Sequence, residues 1–166
     1  MAEPVIRPAA TPDAPQIAAI YAHYVRHGTA TFEIDPPDAG EIESRRCEIV
    51  RQGLPYLVVA SGDRILGYAY AAPYRPRPAY RFTVEDSIYI DPAEAGRGLG
   101  KLLMPPLIRA CEEAGRRQLI AVIGDSANLA SVRLHERFGF RHTGVFYGVG
   151  FKFGRWLDTV LMQREL

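Results

Sequence analysis

The sequence predicts an α/β (α+β) fold, and three observations lead there. At 166 residues the chain can build one core with a mixed sheet and several helices but is short for two, so residues 1–166 are expected to form a single domain. Its apolar positions switch between helical spacing and the period of two that marks strands. A glycine-rich segment, Ala95-Gly96-Arg97-Gly98-Leu99-Gly100, falls where a strand ends and a helix begins.

The elements follow in order. Val5-Ile6-Arg7 reads as a short first strand, after which Thr11-Pro12-Asp13 supplies a helix start with Pro just inside and an acid in the first turn. Ile17, Ile20, Tyr21, Tyr24 and Val25 form one apolar stripe of an amphipathic helix ending near His27-Gly28. A loop from Thr29 to Pro37 leads to a more polar helix from Asp38 to Gln52, stopped by Gly53. Tyr56 to Ala60 and Ile65 to Ala72 read as an antiparallel hairpin turning through Ser61-Gly62-Asp63. A Pro-rich loop, Pro73 to Pro78, precedes a long strand from about Tyr80 to Ile90. On that strand Glu85, Ser87 and Tyr89 share one face, and Val84, Asp86, Ile88 and Ile90 the other.

Past the glycines, Leu99, Leu102, Leu103, Leu107, Ala110 and Cys111 mark one side of a helix ending at Gly115. Pro105 and Pro106 lack a donor and crowd the preceding turn, so a kink or a late helix start is expected there. Leu119 to Ile123 is a strand, Asn128 an N-cap, and a short helix runs to Phe138 with Gly139 as its stop. Two strands, Val145 to Phe153 and Trp156 to Gln163, close the chain through Gly154-Arg155.

Composition narrows the function. A net charge of +1 provides no field to gather nucleic acid or an anionic membrane, so any anion site must be local. No stretch approaches the roughly twenty apolar residues of a membrane span, and the start has no basic segment followed by an apolar run, which makes a cytoplasmic protein the expectation. Cys47 and Cys111 have no partner at metal-ligand spacing and read as reduced thiols; no metal is expected.

A strand followed by glycines at a helix start gathers backbone N–H groups and the positive end of the helix dipole at one point, which suits phosphate. Lys101 is followed by Leu102 rather than Ser or Thr, and Gly96, Gly98 and Gly100 are misplaced for the dinucleotide fingerprint. A plain glycine-rich turn remains the alternative. These residues resemble the GNAT superfamily of N-acetyltransferases, whose pyrophosphate loop has the form Gln/Arg-x-x-Gly-x-Gly/Ala. Here Ala95 holds the first position, so affinity would lean on backbone amides and on Arg97 or Lys101. The order of elements is similar over essentially the whole chain. The resemblance implies a mixed, mostly antiparallel central sheet flanked by about four helices and splayed between the fourth and fifth strands.

Within that superfamily the chain is most similar to the phosphinothricin and methionine sulfoximine (sulfone) acetyltransferases. The matching stretches are Ala30 to Glu33, Arg75 to Tyr80, Thr83 to Ile90, Asn128 with Ser131 to Glu136, and Gly150 to Asp158. The resemblance implies acetyl-CoA as cosubstrate, a small amino-acid-like amine as acceptor, and a homodimer. It also implies cofactor contacts at Gly96, Arg97, Gly98, Leu99, Gly100, Lys101 and Asn128, with Ile88, Tyr89 and Ile90 offering backbone groups to the pantetheine arm. Asn128 serves equally well as a plain helix cap.

Acetylation of an amine needs a proton acceptor, donors for an oxyanion and an acid for the thiolate. Glu85 stands mid-strand in an apolar sheet and, given the resemblance, is the candidate base; the alternative is a partner for Arg75, Arg77 or Arg81. His135 occupies the position where many relatives carry a tyrosine acid. It shares a helical face with Ser131 and Phe138, so an acid and a buried core histidine are both open, with Tyr89 and Tyr147 as alternative acids. Arg75 and Arg77, stiffened by alternating prolines, suit a carboxylate or phosphinate, with a solvated loop as the alternative. Phe32, Tyr74 and Tyr80 would wall an amino-acid-sized pocket. Acetylation of protein N-termini or lysines would want an open groove, and a non-catalytic CoA-binding sensor would have no use for Glu85.

Overall fold

The computed structural model describes residues 3–166. Seven strands form one sheet: β1 (Val5–Pro8), β2 (Tyr56–Ser61), β3 (Arg64–Pro73), β4 (Thr83–Ile90), β5 (Gln118–Gly124), β6 (Arg141–Lys152) and β7 (Arg155–Glu165). Their spatial order is β1-β2-β3-β4-β5-β7-β6. Four α-helices accompany them, α1 (Ala14–His27), α2 (Ala39–Arg51), α3 (Leu99–Glu113) and α4 (Leu129–Arg137). None of these helices is long and apolar enough to cross a membrane.

Every neighbouring pair of strands is antiparallel except β4 and β5. That parallel pair holds only through Thr83–Gln118, Val84–Leu119 and Glu85–Ile120. Beyond it β4 stays with β3 to Ile90 while β5 stays with β7 to Gly124. The sheet therefore opens after Glu85, which is the expected splay between the fourth and fifth strands.

The helices sort to opposite faces by their apolar stripes. α1 buries Ile17, Ile20, Tyr21 and Val25 and sets Tyr21 and Tyr24 against Tyr89, so it covers the Glu85, Ser87 and Tyr89 face of β4. α3 lies on the other face, where Gly100 abuts the Ile88 side chain. Local chemistry starts the first two helices. Asp13 accepts the Ala10 amide at 2.8 Å and both terminal nitrogens of Arg7, and Asp38 caps α2 by accepting from the Glu41 amide at 2.8 Å.

Three local expectations are corrected. β4 starts at Thr83 rather than Tyr80, because Pro78–Tyr80 closes a 3-10 turn instead of extending. α3 does not start late: it runs from Leu99 through Pro105 and Pro106 to Glu113. Pro105 lies on the exposed side, where the Lys101 carbonyl it leaves without a helical donor is open to water; Leu102 is exposed there too, outside the expected apolar stripe. The last hairpin turns through Phe153-Gly154, both at positive φ (54° and 72°), with Lys152 paired to Arg155, one residue earlier than expected.

Candidate active site

The open side of β4 is the first element of the site. The Tyr74 amide donates to Thr83 O and the Asp91 amide to Leu66 O, with unbroken register between. Odd-numbered residues of β4 therefore spend their main-chain groups on β3, and the even-numbered ones face β5. Past the last β4–β5 rung this leaves Ile88 and Ile90 presenting N–H and C=O groups to the splay. Tyr89, expected to do the same, directs its own amide and carbonyl at β3. The Tyr24 hydroxyl reaches across to donate to Ile90 O at 2.5 Å.

A cleft of about 640 Å³ starts at this edge and runs to the glycine loop. Gly96 and Gly98 hold φ of 79° and 78°, and a Cβ at either would meet nothing within 4 Å, so the loop presents bare backbone at the start of α3. Gly100 is different: a Cβ there would press on Leu134 of α4 at 3.0 Å. The third glycine thus packs against α4 while it also lines the cleft. Arg97 pairs with the buried carboxylate of Glu94, which Arg64 also reaches at 2.9 Å. Lys101, exposed in the first turn of α3, pairs with no carboxylate among the described residues and lines the cleft with Leu99. Asn128 lines it too while its Oδ1 accepts from the Ser131 amide at 3.3 Å, so a cap and a cleft residue coincide.

Glu85 occupies the last rung before the splay, with Ala72 beside it on β3. Burial pushes its carboxyl up to about 7, the neighbouring Asp86 charge adds to the rise, and Arg75 opposes it through space. Arg75 stands over the Tyr74 ring at 5.1 Å, and Tyr74 meets Tyr80 edge to face. Arg75, Arg77 and Tyr80 are exposed, so the structure sets Arg75 within electrostatic reach of Glu85 and keeps Arg77 at the surface.

On the opposite face of β4, Asp86 and His135 are nearly sealed from solvent, at 1% and 3% side-chain exposure, and bond at 2.9 Å through Oδ2 and Nε2. His135 Nδ1 lies 2.7 Å from the Ser131 carbonyl, which can only accept, so Nδ1 carries a hydrogen and one further proton is held between Nε2 and Asp86. Burial alone would lower the His135 pKa; the hydrogen bond and charge of Asp86 outweigh it and hold it above its ordinary value. Asp86 Oδ1 is buried with no hydrogen-bond partner, and both residues line the cleft. Of the alternative acids, Tyr147 is 79% exposed on β6, and Tyr89 is packed among Tyr21, Tyr24 and Tyr68 on the face away from His135.

The Phe32 ring packs over Gly150 of β6, where a Cβ would collide with it, and tightly against Gly124 of β5, where a Cβ would collide first with Thr29 O. Buried Lys152 donates to Thr31 O at 2.8 Å, and Thr29 Oγ1 donates to Asp125 at 2.9 Å, which fixes this loop. Asp125 itself has φ of 71° and receives the Ala127 amide and Arg155. Sequence reasoning passed over Lys152, Asp125 and Asp86. Only Asp86 left a signal, a second acid beside Glu85 pointing to the opposite face.

An unpaired strand edge aimed at bare helix-start amides, with a near-neutral carboxyl where the strands part, defines an enzyme that holds an extended phosphorylated carrier and moves a group to a nucleophile. The chain matches the acetyltransferase (GNAT) family over residues 17–140 and belongs to it. It is 57% identical over 154 residues to a phosphinothricin N-acetyltransferase of Alcaligenes faecalis, covering 93% of this chain and 78% of the relative. It is 40% identical over 162 residues to an L-methionine sulfoximine/L-methionine sulfone acetyltransferase of Pseudomonas aeruginosa (97% and 94% covered). The solved phosphinothricin acetyltransferase of Sinorhizobium meliloti in complex with acetyl-CoA superposes with a TM-score of 0.94 at 44% identity, covering 98% of this chain and 88% of that one.

Proposed function

We propose that this acetyltransferase moves the acetyl group of acetyl-CoA to the α-amino group of a small amino-acid analogue such as phosphinothricin, methionine sulfoximine or methionine sulfone. The observation behind this reading is Glu85: a carboxyl with a pKa near 7, at the fork of the sheet, beside the only edge of β4 free to hold an extended cofactor. The residues present fit acetyl-CoA. Ile88 and Ile90 offer strand-edge groups to a pantetheine arm, and Gly96 and Gly98 offer amides to a pyrophosphate, with Lys101 nearby. Arg97, neutralised by Glu94, adds less than its position suggests.

Glu85 takes a proton from the incoming ammonium, directly or through one water. The freed amine forms a bond to the thioester carbon, the Ile88 amide holds the oxyanion, and the carbon–sulfur bond breaks. The departing thiolate takes a proton at the inner end of the cleft, where the Asp86–His135 pair stores one, and the second amine proton, lost as the amide forms, restores that of the pair. Arg75 and Arg77 attract the acceptor's anionic group, and Phe32 and Tyr80 wall its path.

The same reading takes residues 1–166 as one domain working in the cytoplasm as a homodimer. Support for the dimer is the edge strand β6 and its hairpin partner, which expose Phe146, Tyr147, Val149, Phe151, Phe153 and Trp156 together. The test of the activity is free thiol release from acetyl-CoA with phosphinothricin, methionine sulfoximine, methionine sulfone and peptides offered in turn. Release with the analogues is expected. Release with peptides alone, or with none of them, would overturn the proposal.

A further inference from the structure

α2 covers its part of the sheet incompletely, and its sequence says why. Ile42 and Ile49 are its buried residues, two turns apart, and the positions between them on the same stripe hold Arg45 and Arg46. Arg46 turns away to Glu43 and the Ala9 carbonyl, and Arg45 turns to Glu33 and Glu41. No side chain of α2 fills the space beneath its middle turn.

That space is a pocket of about 520 Å³, floored by Tyr56, Tyr68 and Tyr70 of β2 and β3 and flanked by Tyr21. The three floor rings run nearly parallel, with Tyr56 and Tyr70 4.9 Å apart at 13° and Tyr56 and Tyr68 6.0 Å apart at 4°. The rim is acidic on balance: Arg45 faces both Glu33 and Glu41, Arg51 faces Glu48, and Glu33 Oε2 is buried without a hydrogen-bond partner. One end of the pocket is formed by Ala72 and Pro73, and Ala72 is the cross-strand neighbour of Glu85 on the same face of the sheet. The cavity thus begins where the acceptor's amine must stand and leads away from the cofactor cleft. Its volume falls in the range of small-molecule sites, and it combines a tyrosine floor with a polar rim of Ser44, Arg45, Glu48, Arg51 and Gln52.

We infer that this pocket is a side-chain subsite for the acceptor, and that the enzyme acetylates α-amino acids with bulky, neutral, aromatic side chains as well as small analogues. This rests on α-amino acetylation at Glu85 as proposed above. With the amine at Glu85 and the carboxylate drawn to Arg75, the side chain points under α2, onto the tyrosine rings. A bulky anionic side chain gains no partner there, since the rim carries three carboxylates against two guanidiniums.

The test compares kcat/KM for methionine sulfone, L-phenylalanine and L-tryptophan, by thiol release, in the wild type and in Ser44→Trp. Ser44 is an exposed α2 residue at the pocket mouth, so the variant is expected to fold, and a thermal melt checks this. L-Tryptophan and L-phenylalanine are expected to be acetylated with kcat/KM within about tenfold of methionine sulfone. In S44W the tryptophan-to-sulfone ratio is expected to fall by about tenfold or more. Turnover of methionine sulfone without turnover of either aromatic acid, or a ratio that S44W leaves in place, overturns the subsite while α-amino acetylation stands. No turnover of any acceptor overturns the parent reading instead.

Discussion

Glu85 and Asp86 are adjacent on β4, yet the pleat sends them to different faces and different chemistry. Glu85 faces α1, and burial makes its ionisation costly; Asp86 faces α4 and is matched to His135. Glu85→Gln is expected to lower kcat by about 10²–10⁴, read by thiol release. In the wild type kcat/KM should fall about tenfold per unit as the pH drops below about 7, the value at which Glu85 takes up its proton. Stability runs the other way. A folded pKa above the unfolded one favours the fold below the unfolded value, and that advantage is lost as pH rises through about 7. E85Q should therefore be more stable than wild type at pH 8, by on the order of 1–3 kcal/mol in urea melts, with the gain gone by pH 4. Asp86→Ala strands a buried histidine and should cost about 3–5 kcal/mol in the same melts. Glu85 stood out in the sequence as an acid inside an apolar strand. The role of Asp86 did not, because its partner lies forty-nine residues away on a helix whose docking the strand pattern does not specify.

At the scale of elements, the sequence pointed to an anion site at the glycine loop, and the structure makes its three glycines unlike one another. Gly98→Ala must hold positive φ, at a cost of about 1–2 kcal/mol, and adds a methyl where only backbone faces the cleft. It is expected to raise the KM for acetyl-CoA about tenfold. Gly100→Ala meets the end of a flexible leucine at a helical position, and its effect on that KM should be several-fold smaller. Equal effects would mean that both glycines face the cofactor. The helix stripes and turn chemistry marked most element ends, since caps and periodicity are local. They missed the 3-10 turn at Pro78–Tyr80 and left open a late start of α3, which its run from Leu99 does not show.

Over the whole molecule, two halves of a sheet joined by three residue pairs enclose the cofactor cleft between them. A ligand gripping both halves should stabilise the fold as a unit. At a hundredfold excess over Kd, acetyl-CoA is expected to add about 2.7 kcal/mol, or roughly 5–10 °C in Tm by calorimetry. The exposed aromatic edge of β6 makes a second whole-molecule prediction: Trp156→Glu should shift the chain from dimer to monomer in light scattering, and a wild type that is monomeric at micromolar concentration would remove the dimer.

What the sequence by itself determined was whatever depends on near neighbours: the periodicities, the caps, the glycine-rich helix start and the mid-strand acid. From these came the fold class, the family resemblance and Glu85. What only the tertiary structure decided was where distant segments meet: the rung, Glu85–Ile120, at which β4 leaves β5, the pairing of Asp86 with His135, the seating of Phe32 on Gly124 and Gly150, and the tyrosine-floored space under α2. Each depends on the register and docking of elements far apart in the chain. A strand's pattern states which side chains share a face, and the packed fold alone states what covers that face.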